Sequence, residues 1–382
     1  MKKLVALLAC AVLSACATQQ AARPRPDHLF NDALFEARPA AGARDVFALS
    51  EPMRRYLEVE IASQLRRKGR LRGLIEALQT DAQLKLEYDA AVTRTAAEAF
   101  DARAGNCLAL VIMTAALAKE LGLPVHYQRV YSEEFWTRDG DILFLSGHVN
   151  MVLGERPAGR QVFTDRTDQI TIDFLPQEDL RGQRTREIEE STIIAMFMNN
   201  RAAESLARGE LDNAYWWARE AITRDSRFLE SYNTLGVIYS RHANLGQAER
   251  VFEHVLESEP ENPTAMSNLA AVLRKEGRLD AAQSLLQRLQ RIEPYPPFHF
   301  FDLAQLAMKN GDFKAARDLF ARELDRNAYY DAAHFGLAVA SFRIGDIKSA
   351  REHLNAAMES STTRRDRDLY AAKLKELRSY SP

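Results

Sequence analysis

The chain has 382 residues, more than a single hydrophobic core usually supports, so two or more domains are expected. Hydrophobic residues make up 46% of the chain and charged residues 27%, a balance typical of globular proteins and unlike that of disordered or fibrous ones. The 51 basic and 53 acidic residues leave a formal charge of −2, so composition gives no reason to expect a nucleic-acid partner.

The beginning of the chain has the pattern of a secretory signal. Two lysines precede an apolar stretch, residues 4–12, that is too short to span a bilayer. The following Leu13-Ser14-Ala15-Cys16 resembles the lipobox of bacterial lipoproteins. That resemblance implies removal of residues 1–15, lipid on Cys16 and, because Ala17 rather than Asp follows, an outer-membrane location facing the periplasm. The alternative is an ordinary signal peptide with a chance cysteine.

Residues 16–48 are rich in Ala, Arg and Pro without a sustained hydrophobic period, which predicts a membrane tether. Of the three cysteines, Cys10 leaves with the signal and Cys16 carries the lipid, so Cys107 has no partner in its own chain. A lone thiol in an oxidising compartment is either buried and inert or kept for its chemistry.

Residues 49–185 are predicted to form an α+β domain. Helical periodicity continues to about residue 100, and a strongly apolar helix follows from Leu108 to Leu121. Short strand-like runs separated by turn signals come next, which predicts an antiparallel sheet after the helices. These runs are residues 125–131, 142–145, 148–153, 161–164 and 170–175.

Three residues of this domain have the types and the order needed for nucleophilic catalysis. Cys107 lies at the predicted start of the apolar helix, where the helix dipole and unpaired N–H groups favour a thiolate. His148 begins one predicted strand and Asp173 lies in another, which suits a base and the acid that orients it. Asp165 is the alternative acid, but it falls in a predicted turn.

The segments Gly105-Asn106-Cys107 and Gly147-His148 resemble the core of the transglutaminase-like superfamily over roughly residues 85–176. The resemblance implies a papain-like fold with Cys107 as nucleophile, His148 as base and Asp173 as orienting acid. It also implies a peptidase, amidase or acyltransferase activity, although some members of the superfamily only bind.

The Cys107 N–H is a natural oxyanion donor, and Gln128 and Trp136 are candidates for the second. The sequence has no metal-ligand spacing and no glycine-rich phosphate loop, so neither a metal nor a cofactor is predicted.

Residues 195–364 contain five successive units of 34 residues: 195–228, 229–262, 263–296, 297–330 and 331–364. A glycine ends the first helix of four units, and Ala243 takes its position in the second. An alanine recurs five residues later in every unit, where two helices must pack closely. The pattern resembles the tetratricopeptide repeat, which implies an all-α solenoid that binds a peptide or protein. Residues 365–382 are predicted to form a capping helix and tail.

A basic column runs through the repeats, with one cation at the end of the first helix in each of four units: Arg241, Lys275, Lys309 and Arg343. One interpretation is a ladder in the concave groove for a carboxylate ligand. The alternative is that each cation offsets the dipole of its helix, an effect of about 0.3–1 kcal/mol.

The sequence therefore predicts a multidomain chain, in which an α+β transglutaminase-like domain precedes an all-α tetratricopeptide solenoid. The predicted function is that of a lipid-anchored envelope protein whose thiol site hydrolyses amides or transfers acyl groups on a bound peptide or protein. The alternative is a non-catalytic envelope scaffold that uses the repeats for protein–protein interaction.

Overall fold

The computed structural model describes residues 26–38, 45–79, 86–89, 92–139, 142–154, 169–174, 184–361 and 364–379. Of the described residues between 131 and 147, it describes the backbone alone. The signal segment, Cys16, Asp165 and the predicted strand at 161–164 lie outside these residues. Within the described part of the chain, no helix combines the length and the apolar character that a membrane span requires.

The described residues between 45 and 188 form helices packed against a sheet, and we call them the sheet domain. Its helices are α1 (Glu51–Arg55), extended by a π-helical turn (Tyr56–Glu60), α2 (Ala62–Lys68), α3 (Arg70–Gln79), α4 (Ala96–Ala102) and α5 (Cys107–Glu120). Two short parallel strands, β1 (Glu87–Tyr88) and β2 (Ala104–Gly105), precede α5. An antiparallel sheet of order β5-β4-β3-β6 contains β3 (Val125–Asp139), β4 (Ile142–Leu153), β5 (Ile170–Ile172) and β6 (Arg184–Ile188).

Helix α5 lies at the centre of the sheet domain. Asn106 caps its N-terminus, with Oδ1 accepting a hydrogen bond from the Ala109 N–H at 2.9 Å. Every side chain from Leu108 to Ala118 is buried, which explains why this helix is apolar on all faces rather than on one. It ends at Gly122, whose φ of +70° a residue with a side chain adopts only under strain.

Residues 190–360 form five helical hairpins, as the repeat period predicts. We call the hairpins units 1 to 5. Unit 1 is α6 (Glu190–Ala207) and α7 (Leu211–Arg224), and unit 2 is α8 (Leu229–Arg241) and α9 (Leu245–Ser258). Unit 3 is α10 (Pro263–Lys275) and α11 (Leu279–Ile292), and unit 4 is α12 (His299–Lys309) and α13 (Phe313–Leu324). Unit 5 is α14 (Asp331–Arg343) and α15 (Ile347–Ser360). A further helix, α16 (Arg364–Ser379), packs on the last hairpin.

The turn inside each unit has one residue with left-handed backbone. In four units it is a glycine with φ between +77° and +87°: Gly209, Gly277, Gly311 and Gly345. In unit 2 it is Ala243, with φ of +61°, a conformation that costs an L-residue roughly 1–2 kcal/mol.

Ala243→Gly is therefore expected to raise the free energy of unfolding by about 0.5 kcal/mol, because relief of that strain exceeds the added flexibility of glycine in the unfolded chain. The matched change in unit 3, Gly277→Ala, should have the opposite sign. Urea unfolding of both variants checks this, and a loss of stability in Ala243→Gly would show that the strain argument is wrong.

The stacking of units is interrupted between units 3 and 4. Successive units elsewhere pack helix on helix, whereas α11 and α12 barely touch. The buried core divides at the same place, with one cluster reaching Ala282 and another beginning at Phe298. Three prolines, Pro294, Pro296 and Pro297, occupy the connection, and their fixed φ directs the chain away from α11. The continuous stack expected from the sequence period is thus broken at one junction.

Residues 26–36, expected to belong to the tether, instead pack on units 1 and 2, and we call this segment the strap. The Asn31 N–H donates to the hydroxyl oxygens of Tyr215 at 3.0 Å and Tyr239 at 2.9 Å. Phe35 stacks on Tyr215, with ring centroids 4.0 Å apart and planes inclined by 9°. The strap is therefore part of the folded protein, and the tether prediction does not hold for these residues.

Candidate functional site

Cys107 is the first residue of α5 and is half-buried. The backbone before it is held by the β1–β2 pairing, which sets Tyr88 opposite Gly105. A Cβ at Gly105 would lie 2.9 Å from the Ala109 Cβ, so the approach to the helix requires glycine. The thiol consequently projects from a fixed helix N-terminus.

His148 and Asp173 form a buried pair on neighbouring strands. His148 lies in β4 and Asp173 directly follows β5, and both Asp173 carboxylate oxygens are 2.8 Å from His148 Nε2. Each side chain is only 2% exposed. Asn150 Nδ2 donates to Asp173 Oδ2 at 3.0 Å, so the carboxylate is fixed from two sides. This arrangement orients the imidazole through Nε2.

The Cys107 sulfur lies beside the His148 imidazole and interacts with it electrostatically. Because Asp173 engages Nε2, Nδ1 is the ring nitrogen left for the sulfur. Burial by itself lowers the pKa of His148, but the interactions with Asp173 and Cys107 outweigh it and raise this pKa to about 9. The site therefore favours an imidazolium between a carboxylate and a thiol at neutral pH.

The Cys107 N–H, the predicted oxyanion donor, faces the Tyr88 hydroxyl. Tyr88 is 37% exposed, so this edge of the site is open to solvent. Of the two residues predicted as second donors, Gln128 in β3 pairs with Asn150, and Trp136 lies further along the strand, opposite Leu145. Tyr88 was missed because its strand is two residues long and has no sequence period.

Asn150 was also missed, although its position in the strand could have indicated its role. It lies two residues after His148 in the same strand, so alternation places both side chains on one face. Its Oδ1 is buried without a hydrogen-bond partner among the described residues, and the residue is 4% exposed. Of the two predicted acids, Asp173 is the one in contact with His148, whereas Asp165 lies outside the described residues.

Thr93 connects the N-terminus of α5 to unit 1. Its hydroxyl accepts from Asn106 Nδ2 at 2.9 Å and from Asn200 Nδ2 at 3.2 Å, and its N–H donates to Glu204 Oε1 at 2.7 Å. Thr93 is 1% exposed, which protects these bonds from water. The cap of the cysteine helix is therefore held directly by the first repeat.

A groove with a cavity volume of about 1080 Å³ lies between units 1–3 and strands β3 and β6. Asn199 and Asn233, which are 34 residues apart, line it from equivalent positions of α6 and α8. The Oδ1 atoms of both are buried and have no hydrogen-bond partner among the described residues. Asn200 also lines this groove, so the Thr93 network reaches from the groove to the cysteine helix.

The predicted basic column does not line this groove. All four cations lie at the C-terminal ends of α8, α10, α12 and α14. Lys275 Nζ donates to Ser240 Oγ at 3.0 Å, and the Arg343 guanidinium lies 4.1 Å from the centre of the Phe313 ring. Helix-end positions and contacts within the array fit the helix-dipole interpretation better than a ligand ladder.

Family models described as tetratricopeptide repeat match residues 242–299 and 301–363. The C-terminal region therefore contains tetratricopeptide repeats, and this prediction from the sequence is confirmed. Both matches begin after residue 241, so neither includes the sheet domain. A comparison with curated protein sequences finds no match.

Solved repeat proteins are similar to part of the chain. MamA 41-end from Desulfovibrio magneticus RS-1 is 20% identical, with 45% of this chain and 96% of that chain covered and a TM-score of 0.26. YrrB, described as a tetratricopeptide repeat protein with an unusual peptide-binding site, is 23% identical, covering 47% and 92%, with a TM-score of 0.25. Yeast Tom70 is 16% identical, covering 48% and 40%, with a TM-score of 0.34.

Proposed function

We propose that this protein is an outer-membrane lipoprotein facing the periplasm, in which the repeat groove holds a peptide or protein and Cys107 performs acyl transfer on it. The observation that carries the catalytic part is the buried contact between Asp173 and His148 beside a thiol at a helix N-terminus. Tetratricopeptide repeats support a protein partner, and the Leu13-Ser14-Ala15-Cys16 motif supports the lipid anchor.

In the proposed reaction, the Cys107 thiolate attacks the carbonyl carbon of an amide, and the carbonyl π electrons move onto its oxygen. His148, protonated at Nδ1, then gives its proton to the leaving nitrogen as the C–N bond breaks, which leaves a thioester. Water or an amine attacks the thioester, neutral His148 takes the proton of that nucleophile, and the C–S bond breaks to release the Cys107 thiolate. Asp173 stabilises the imidazolium in both steps.

The oxyanion of the tetrahedral intermediate needs donors beside the sulfur. The Cys107 N–H lies at a helix start and is one such donor, and it faces the Tyr88 hydroxyl. A substrate carbonyl accepts from this N–H, and the phenolic O–H then donates to the same oxyanion. Tyr88 therefore replaces Gln128 and Trp136 as the proposed second donor.

The order of these residues also supports a transglutaminase-like fold for the sheet domain. The cysteine starts a buried helix, the histidine lies on the next long antiparallel pair of strands, and the acid follows the adjacent strand. Hydrolysis and transamidation share the thioester, so both remain within the proposed activity.

The groove is suited to an extended peptide. Asn199 and Asn233 line the groove with side-chain amides, which can donate to and accept from the main chain of a ligand, independently of its side chains. A partner bound there contacts Asn200, which shares Thr93 with the cap of the cysteine helix. Holding the partner and positioning the thiol thus involve one hydrogen-bond network.

The test is alkylation of the purified full chain by an iodoacetamide probe at neutral pH. Cys107 in the wild type is expected to react at least about tenfold faster than an ordinary thiol, because only the thiolate is nucleophilic. Cys107→Ala should lose the signal, and His148→Ala should reduce it to the ordinary rate. A wild-type rate equal to that of free cysteine would reject the catalytic proposal.

The second candidate is a non-catalytic scaffold, favoured by the fact that the family matches fall in the repeats alone. It predicts that Asn233→Ala weakens capture of an envelope partner, whereas Cys107→Ala has no effect on capture and Cys107 reacts as an ordinary thiol. Co-purification with Cys107→Ala compares the two functions, because an acyl-transfer enzyme should retain substrate that the wild type releases.

A further inference from the structure

Two apolar helix faces lie uncovered on the two sides of the break between units 3 and 4. On α12, Leu303 is 41% exposed and Leu306 is 54% exposed. Residues at the equivalent positions of units 2, 3 and 5 are at most 7% exposed: Leu235, Ile238, Leu269, Val272, Leu337 and Ala340. The two leucines of α12 therefore occupy positions that the repeat normally buries.

The facing side of α11 shows the same difference. Leu279 is 63% exposed, and Leu285, Leu286 and Leu289 are only half-buried. The unit 2 equivalents of the last three leucines are 0% exposed: Val251, Phe252 and Val255. Helix α11 thus retains the side chains of a stacking surface although α12 of its own chain does not stack on it.

The connection between the units is fastened to unit 4. Arg326 donates from Nη2 to the Tyr295 carbonyl at 2.8 Å and from Nη1 to the Pro296 carbonyl at 3.2 Å. Phe298 is 1% exposed within the core of unit 4. These contacts fix the direction in which the connection enters unit 4, and in this arrangement the two faces lie apart within one molecule.

We propose that a second copy of this chain covers these faces. Helix α12 of each copy packs on α11 of the other, which forms two equivalent repeat-to-repeat interfaces related by a two-fold axis. Each chain has both the exposed α11 face and the exposed α12 face, and the repeat places their side chains at matching positions. Each copy can therefore provide one face to the other copy. The proposal concerns units 3 and 4 only and does not depend on the thiol chemistry.

The first test is sedimentation of the full chain in detergent over a dilution series. The wild type is expected to dissociate from dimer to monomer on dilution. Leu306→Glu should weaken the dimer on the order of 100-fold, because it buries a charge in each of two interfaces. The matched control is Leu369→Glu, since Leu369 is 44% exposed on α16 away from the junction. A monomeric wild type, or equal dimerisation of all three proteins, would reject the proposal.

The second test identifies which chain provides the covering helix. Cysteines replace Leu279 and Leu306 in a Cys107→Ser background, and tagged and untagged copies are mixed before a short bis-maleimide cross-linker is added. The proposal predicts a product of twice the chain mass that contains one tagged and one untagged chain. A cross-linked product of single-chain mass would show that α12 closes on α11 of its own chain and would contradict it.

Discussion

Asp173→Asn is expected to slow alkylation of Cys107 by up to about tenfold at pH 7, because each unit by which the pKa of His148 falls lowers the equilibrium constant for proton transfer from the thiol to the imidazole tenfold. Asp173 and the thiol together raise this pKa to about 9 against the opposing effect of burial. Asparagine keeps the shape of the side chain but not its charge. The second-order rate of iodoacetamide labelling, compared with that of wild type, is the measurement.

The same substitution has a pH-dependent effect on stability. The folded pKa of His148 is raised above the ordinary value of 6.5, so the pair stabilises the fold fully below pH 6.5, and this contribution is lost as the pH rises through about 9. We expect Asp173→Asn to lower the free energy of unfolding by about 1–3 kcal/mol at pH 6 and by less above pH 9.

Urea unfolding at the two pH values checks this expectation. Asp318→Asn is a suitable control, because Asp318 is in an exposed ion pair with Arg317 and its removal should cost less than about 0.5 kcal/mol. A loss in Asp173→Asn that is the same at both pH values would contradict a charged His148–Asp173 pair.

Phe35→Ala is expected to lower the free energy of unfolding by about 3 kcal/mol, the largest effect of any single change in the strap. Phe35 is 6% exposed and lies between Tyr215 and His242, with ring centroids 4.0 Å and 4.7 Å away. Truncation leaves a cavity against Tyr215, whose hydroxyl is held by the Asn31 N–H.

Urea unfolding and limited proteolysis of units 1 and 2 provide the measurements. Phe30→Ala is a control within the strap, because Phe30 is only half-buried and should cost less. If Phe35→Ala changed the stability by less than 1 kcal/mol, the strap would be a loosely attached segment rather than part of the core.

The repeats were predictable because each unit repeats one local pattern. Small residues at fixed positions, such as Ala248 and Ala282, mark where two helices pack closely, and both are at most 1% exposed. The break between units 3 and 4 was not predictable from the same pattern, since the period continues through it. Stacking depends on the direction of the connection, and there three prolines replace the ordinary turn.

The candidate site was predictable only in part. Order along the chain indicated Cys107, His148 and Asp173, because residue type and predicted elements are local properties of the sequence. Thr93 and Tyr88 were not indicated, since their importance comes from contacts with residues distant in sequence. The strap was missed for the same reason: Asn31 meets Tyr215, 184 residues later, and its own segment contains only short 3-10 turns.

The strap also determines how the molecule bears mechanical load. A pull on the N-terminal end reaches residues 26–36 before any other described part of the chain, and these residues are fastened to units 1 and 2. Along the chain, the sheet domain comes between the strap and the repeats, whereas the strap contacts the repeats directly. The first contacts to carry tension are therefore those of Phe35, Asn31 and Trp216. Tension therefore enters the repeat array directly, and the geometry around Cys107 is shielded from it until the strap detaches.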